Sequence, residues 1–449
     1  MPAETNFISP EEFPAFRAQA LQGVATHVNS QVARVIEAVD EDLFEWSGQG
    51  SYFYDAQGRR FFDAATCGGV FALGHAHPKI VDAACAQVRK GGLSTHAGFV
   101  PNQLRLLHRL SQIVPGHHAH GHIGSTGTEA TEAALRLARL TTGRPKVVGT
   151  ESGYHGMSIS SLSVTGIPYC HVGTPRESAD ALIIPYNDLE AADKALTDEV
   201  AAIILEPVQW AAGCRVASIE YLQGLRRLCD ERGVLLILDE IQTGLGRTGT
   251  WFAADRAGIV PDLITIGKAL SGGMAPISAV MYSERVHQAE AKIPTFLNST
   301  FAGNPLSCAV ALATLDCIAS ENLLERVKVL GDKVAQKFDE LLIKFPEMLR
   351  YHSGLGLMRC LITRSAPFGS MISALLLKEH GILLPAMLYN PAILRISPPF
   401  NTSDAELETF FAELEAVCAQ MQAMGESGVQ KLQASIQAKA IAALTAPRA

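Results

Sequence analysis

Two short stretches carry groups that could do chemistry. In ITIGKALSGG (264–273) a lysine follows an apolar run and precedes a glycine-rich turn. An ammonium at the wall of a cleft loses hydration, its pKa falls, and the neutral amine becomes a nucleophile. The alternative for Lys268 is a solvated residue at a strand end. In VLLILDEIQTG (234–244) five apolar residues end in Asp239, Glu240 and Gln242. Such a run is what a strand covered on both faces looks like. An unpaired carboxylate there would lose hydration at a cost of several kcal/mol, roughly. Asp239 is therefore either in solvent at the strand's carboxyl end or paired with something cationic.

Three further stretches invite a chemical reading. GSTGTEATEAALRLAR (124–139) opens a helical pattern with small hydroxylic residues and a glycine. Its free N–H groups would seat a phosphate, or the residues are simply a helix cap. GLGRTG (244–249) formally fits G-x-G-x-x-G, yet DEIQT separates it from the strand and TWFAAD follows where a helix should begin. It reads as a glycine-rich turn. GHHAHGH (116–122) offers His117, His118, His120 and His122, but no nearby Cys or carboxylate completes a ligand set. These read as surface-loop histidines, with polar lining near a cleft as the alternative, and no metal is expected.

The elements that must position these groups follow from pattern and composition. With 449 residues the chain can bury a large core and is long enough for two or three domains. A net charge of -8 argues against general binding to nucleic acid or anionic membranes. The nine cysteines show no C-x-x-C pair, which speaks against a disulfide framework or zinc site. MPAETNFISPEEFPAF lacks a basic region followed by an apolar run, and no window reaches the ~20 apolar residues of a membrane span. A cytoplasmic protein is the expectation.

Ser9, a proline and two acids suggest a short capped helix. Gly50–Asp55 and Arg59–Asp63, joined by AQG, suggest a hairpin. From about 100 to 320, strand-like runs (KVVGT, ALIIP, AAIILEP, VLLILDE, DLITIG, ISAVMYS) alternate with helical stretches such as Glu129–Leu140 and Ile219–Arg232. That alternation predicts a doubly wound, mostly parallel α/β sheet. After Asn322 come a long amphipathic helix, short strands around GLMRCLI and ILRIS, and a last helix from Ser403. The tail after Gly425 reads as a peripheral helix or a frayed end.

In their order and spacing, LGHAHP (73–78), STGTEATEAALRLAR, YHG (154–156), EPVQ (206–209), LDEIQTGLGRTG, ITIGKALSGG and STFAGNPLSC (299–308) resemble the class III pyridoxal-phosphate aminotransferases of the ornithine, acetylornithine and 4-aminobutyrate type. The likeness spans roughly residues 45 to 420. It implies fold type I: a large domain at 66–320 with a seven-stranded, mostly parallel sheet, and a small α+β domain built from both ends, 1–65 and 321–425. The residues 426–449 would be a tail.

The resemblance also implies roles. Pyridoxal 5'-phosphate would be the cofactor, held by Lys268 as a Schiff base, with Asp239 paired to the protonated ring nitrogen and Gln242 at the ring hydroxyl. Thr126, Gly127 and Thr128 would seat the phosphate, Tyr154 or His155 would lie against the ring face, and Glu206 would orient neighbours. Thr300 would reach the phosphate of a neighbouring subunit in a homodimer. Arg395, in AILRISPPF, would hold a substrate carboxylate. A small-molecule amino donor and a keto acid or aldehyde acceptor would react in turn.

The chain departs from the pattern after EPVQ, where relatives carry Q-G-E or Q-S-E, with a glutamate that can cover the arginine. Here QWAAG puts Trp210 at a small-residue position and Ala211 at the glutamate. Arg395 is thus expected to stay available for an anion, with Trp210 as an apolar wall. Met157 also replaces a frequent arginine. A lyase or aminomutase of the same family is the alternative activity.

Overall fold

The computed structural model describes residues 7–39, 43–91, 100–174, 180–293 and 297–445. Its centre is a seven-stranded sheet of β1 (His120–Gly124), β2 (Lys146–Thr150), β3 (Ala181–Ile184), β4 (Val200–Leu205), β5 (Leu235–Asp239), β6 (Leu263–Ile266) and β7 (Ser278–Tyr282), in the order β1-β7-β6-β5-β4-β2-β3. Every neighbouring pair from β3 to β6 is parallel, and β7 runs opposite to both β6 and β1. All six expected runs became strands. β4 and β5 are buried at every position, as expected for strands with helices on both faces.

The helix Gly127–Thr142 lays Ala130, Ala133, Ala134, Leu135, Leu137 and Ala138 on the sheet. Gly143, in the left-handed region at φ 68°, ends the helix. Ile219–Arg232 also forms as expected, capped by Ser218.

Two smaller sheets flank the first. Leu349–Leu355, Met358–Thr363, Asn390–Ile396 and Ala386–Met387 form an antiparallel sheet in that order. The hairpin of Tyr52–Asp55 and Arg60–Asp63 pairs with Glu45–Gln49 on one side. On the other it takes a parallel strand from far along the chain, Ile382 opposite Phe62. One apolar core runs from Ile264 and Ile266 of β6 to Leu394, Phe400 and Phe410.

Three local expectations can be compared with the structure, and one is revised in part. Ser9 caps the entrance to Phe13–Gly23 as expected: its Oγ accepts the Glu12 N–H at 3.3 Å, the Glu12 carboxylate accepts from the Ser9 N–H and hydroxyl, and the Phe13 N–H reaches the Ser9 carbonyl at 2.9 Å. The last helix spans Asp404–Thr445 with a break at Gly425, φ 67°, so the tail takes the helical one of its two expected forms, and Val429 beyond the break is buried in the core. Of the histidines, His117 is exposed in a short turn as expected and His122 lines the larger cleft, but the group as a whole is not a surface loop. His120 and His122 lie in edge strand β1, His118 is buried with Nε2 2.7 Å from the Pro261 carbonyl, and His120 stacks on His287.

Candidate active site

Asp239 is the last residue of β5 and Lys268 follows β6 by two residues, so the parallel register delivers both to the carboxyl edge of the sheet. Asp239 is 4% exposed and well partnered. His155 Nδ1 donates to Oδ2 at 2.8 Å, while the Thr265 hydroxyl and the Ile241 N–H donate to Oδ1 at 3.1 Å each. A carboxylate accepts about four hydrogen bonds, so one position remains. Because the acid only accepts, His155 carries its proton on Nδ1, and its buried Nε2 has no partner.

Lys268 opens a short turn, Lys268–Ser271, with its backbone in the left-handed region at φ 42°. A non-glycine residue pays for that conformation in strain, which here aims the side chain back across the strand ends. Nζ donates to Gln242 Oε1 at 2.7 Å, leaving the buried Gln242 Nε2 without a partner. Burial first, and then the Arg395 guanidinium, push the lysine pKa down to about 8. Burial pushes Glu206 up, to about 8, with His155 and the Tyr154 N–H opposing it. That N–H donates to Glu206 Oε1 at 2.9 Å.

The third component is the start of the helix Gly127–Thr142. Thr126 Oγ1 accepts the Glu129 N–H, and the Glu129 carboxylate accepts from Ser125 and Thr126 in return. This reciprocal cap settles three donors at the helix entrance and leaves the N–H groups of Gly127 and Thr128 without intrahelical partners. Gly156 lets the YHG loop close on this turn: at its φ of 129° a Cβ would lie 2.6 Å from Thr128 Oγ1.

Thr126, Gly127, Thr128, Tyr154, His155, Glu206, Trp210, Asp239, Gln242 and Lys268 line one cavity of about 210 Å³. Ten of the twelve site residues read from the sequence are thus together. Thr300 is exposed and lies outside this lining. A larger cleft of about 470 Å³ nearby is lined by Glu132, Arg136, Arg139 and Ser299 and holds neither the lysine nor the acid.

Arg395, expected to stay available for an anion, has no carboxylate partner among the described residues, but it lies under a cover. It is 7% exposed and absent from the cavity lining, and the Trp210 ring lies over it, 5.0 Å from Cζ to the ring centroid. The indole face attracts the cation, so the residue expected only as a wall also covers the arginine. Tyr154 and Tyr389 flank the indole at 6.4 and 6.5 Å. Arg395 Nε and Nη2 are buried without hydrogen-bond partners.

Other neighbours escaped the sequence reading. Arg247, inside GLGRTG, is fully buried, donates to the carbonyls of Pro398 (2.7 Å) and Leu357 (3.2 Å), and sits over the Phe400 ring. The stretch is a turn, as read, but one that ties the sheet to the C-terminal region. Burial and then Arg395 push the Arg247 pKa down to about 9. Thr66, Cys67, Gly68 and Gly69 form a run of positive φ. At Gly68 a Cβ would lie 3.5 Å from Arg395 Nη1 and 4.0 Å from Lys268 Cε. The Gly68–Gly69 pair was the available signal for this turn.

A lysine and an acid at the carboxyl ends of a sheet of this order, with a helix N-terminus beside them, define a pyridoxal-phosphate enzyme of fold type I. The chain belongs to the class-III aminotransferase family, which it matches over residues 37–418. It is 31% identical over 424 residues to the putrescine aminotransferase of Pectobacterium atrosepticum, covering 91% of this chain and 90% of that protein. Among solved structures, it resembles the ornithine aminotransferase of Toxoplasma gondii, crystallised with partial occupancy of PLP at the active site, with a TM-score of 0.79 and 28% identity over 93% of this chain and 96% of that one. An (S)-enantioselective omega-transaminase from Thermomicrobium roseum gives a TM-score of 0.81 and 26% identity over 90% and 98% of the two chains. The chain is accordingly a pyridoxal-phosphate-dependent aminotransferase.

Proposed function

We propose that Lys268, Asp239 and the Thr126–Thr128 turn hold the cofactor and that the protein moves an amino group from a primary amine or amino acid to a keto acid or aldehyde. The observation that carries this assignment of roles is the convergence of a depressed lysine, an acid with one acceptor position left and two unpaired helix N–H groups on one cavity. The fit to the cofactor rests on those vacancies. The remaining Asp239 position suits a protonated ring nitrogen, the orphaned Gln242 Nε2 suits a ring oxygen, and the N–H groups of Gly127 and Thr128 suit a phosphate. When bound, pyridoxal phosphate supplies a carbonyl that takes up and returns the amino group and a ring that withdraws electrons from the reacting carbon.

The protein's own groups do the rest. Lys268 Nζ, whose neutral fraction is far larger at neutral pH than that of an ordinary lysine, offers a lone pair and carries a proton within the cleft. Gln242 Oε1 holds it in place. His155 and Thr265 fix the orientation of the Asp239 carboxylate. Since His155 is committed to Asp239, Tyr154 is the aromatic plane for the ring face. Glu206, held by the Tyr154 N–H, acts as a positioning group.

Thr300, exposed outside its own cavity, suits a role in the site of a second copy, so the functional unit is a homodimer. All nine cysteines are free, which supports work in the cytoplasm. The test is a half-reaction screen that follows the absorption of the bound cofactor with amines, amino acids and diamines and no acceptor. A single turnover per site is the expected result. Sustained turnover without an acceptor would instead assign a lyase or aminomutase.

A further inference from the structure

We infer that Trp210 is an uncharged gate over Arg395, closed toward neutral amines and displaced by the carboxylate of an anionic partner such as a 2-oxo acid. The inference rests on the proposed aminotransferase cycle, in which one site takes a donor and an acceptor in turn. Among the described residues no carboxylate pairs with Arg395, although the guanidinium is buried and two of its nitrogens lack hydrogen-bond partners. Arg247 and Lys268, both depressed first by burial and then by its charge, lie near it, and the other titratable groups around it are the thiols of Cys67, Cys214 and Cys360 and the Tyr389 hydroxyl. A buried cation of this kind is stable only while something attractive covers it. The cover in this structure is the indole face at 5.0 Å.

The geometry gives the gate its two positions. Trp210 starts a short turn that ends at Gly213, φ 77°, and the same side chain both lines the cavity and meets the guanidinium, which does not line it. Its Nε1 is buried and unpartnered, so no hydrogen bond anchors the closed position. With the gate closed, the cavity shows an apolar aromatic face of Tyr154 and Trp210, suited to an aliphatic or aromatic amine with no charge beyond its ammonium. A carboxylate, forming charge-assisted hydrogen bonds with the two free guanidinium nitrogens, outcompetes the weaker cation–π contact and takes its place. Neutral and anionic partners can thus share one pocket without a carboxylate switch in the protein.

The test uses the holoenzyme and the variants Trp210→Ala and Trp210→Phe, with succinate as a non-reacting dicarboxylate measured by titration calorimetry. Trp210→Ala should bind succinate about 3- to 30-fold more tightly than the wild type, since no cation–π contact has to be broken. Its half-reaction with a neutral arylalkylamine should lose at least about tenfold in kcat/KM, and Trp210→Phe should fall between. Unchanged succinate affinity, or an equal loss for amine and 2-oxo acid, would reduce Trp210 to a wall and overturn the gate. Failure of the wild type to process any amine would instead refute the proposed function itself, so the two failures are distinguishable. Arg395→Gln serves as the fold-independent check: succinate binding should vanish, and retention of it would place the anion seat elsewhere.

Discussion

The two halves of the cleft are built on opposite principles. Around Asp239 each group is anchored: the acid by His155, Thr265 and Ile241, Lys268 by Gln242, Glu206 by the Tyr154 backbone. The atoms left over, Gln242 Nε2 and His155 Nε2, belong to side chains already fixed at their other end. Around Arg395 the reverse holds. Arg395 Nε and Nη2, Trp210 Nε1 and the Tyr389 hydroxyl are all unpartnered, and only ring faces meet. The first half is preorganised for one ligand that never changes, and the second stays unsatisfied because its ligand alternates.

The sharpest way to break the contrast is to remove the anchored nucleophile. Lys268→Ala should lower kcat for transamination by about four orders of magnitude or more and abolish the pyridoxyl tag left by borohydride on its tryptic peptide. A residual rate within tenfold of wild type would dismiss the lysine. Asp239→Asn keeps the shape but removes the charge, and kcat should drop by about 10²–10³. Steady-state kinetics on folded holoenzyme decide that case.

In the unsatisfied half, Arg395→Gln should raise KM for a 2-oxo acid roughly 30-fold or more while moving the neutral-amine half-reaction less than about threefold. Equal effects on both partners would erase the distinction between the halves. The smallest effect is on pH dependence. Lys268 has a folded pKa of about 8 against a usual 10.5, so its neutral fraction grows about tenfold per pH unit up to about 8 and then levels off. Capture of pyridoxal phosphate by the apo-chain, followed by absorption, should show that profile. Between about 8 and 10.5 the unfolded chain holds a proton that the folded one has lost, so this group makes apo stability rise with pH in that window. A capture rate still climbing above pH 9 would mean a solvated lysine.

These halves also differ in how far the sequence revealed them. The anchored half was legible because it sits on strand ends: an apolar run followed by an acid or a lysine marks the edge of a parallel sheet, and S-T-G-T followed by a glutamate marks a helix entrance. Arg395 was legible as a residue but not in its surroundings. Its contact with Trp210 joins two segments far apart in sequence, and a ring over a cation leaves no periodic trace. Arg247 was hidden for a related reason, since its partners are backbone carbonyls that any residue can supply. The histidines misled because H-x-H spacing fits a loop as well as an edge strand, and only the pairing of His120 with Tyr282 and of His122 with Val280 decides it.

The pairing of Ile382 with Phe62 has a consequence for how the molecule is made. The early hairpin emerges from the ribosome more than three hundred residues before the strand that closes its sheet. At a typical rate of about 5–20 residues per second, that edge waits tens of seconds, roughly, with its hydrogen-bonding groups unsatisfied. During that interval the nascent chain is at its most vulnerable to pairing with another copy of itself, and chaperone dependence should track the completion of residue 383 rather than of the large sheet.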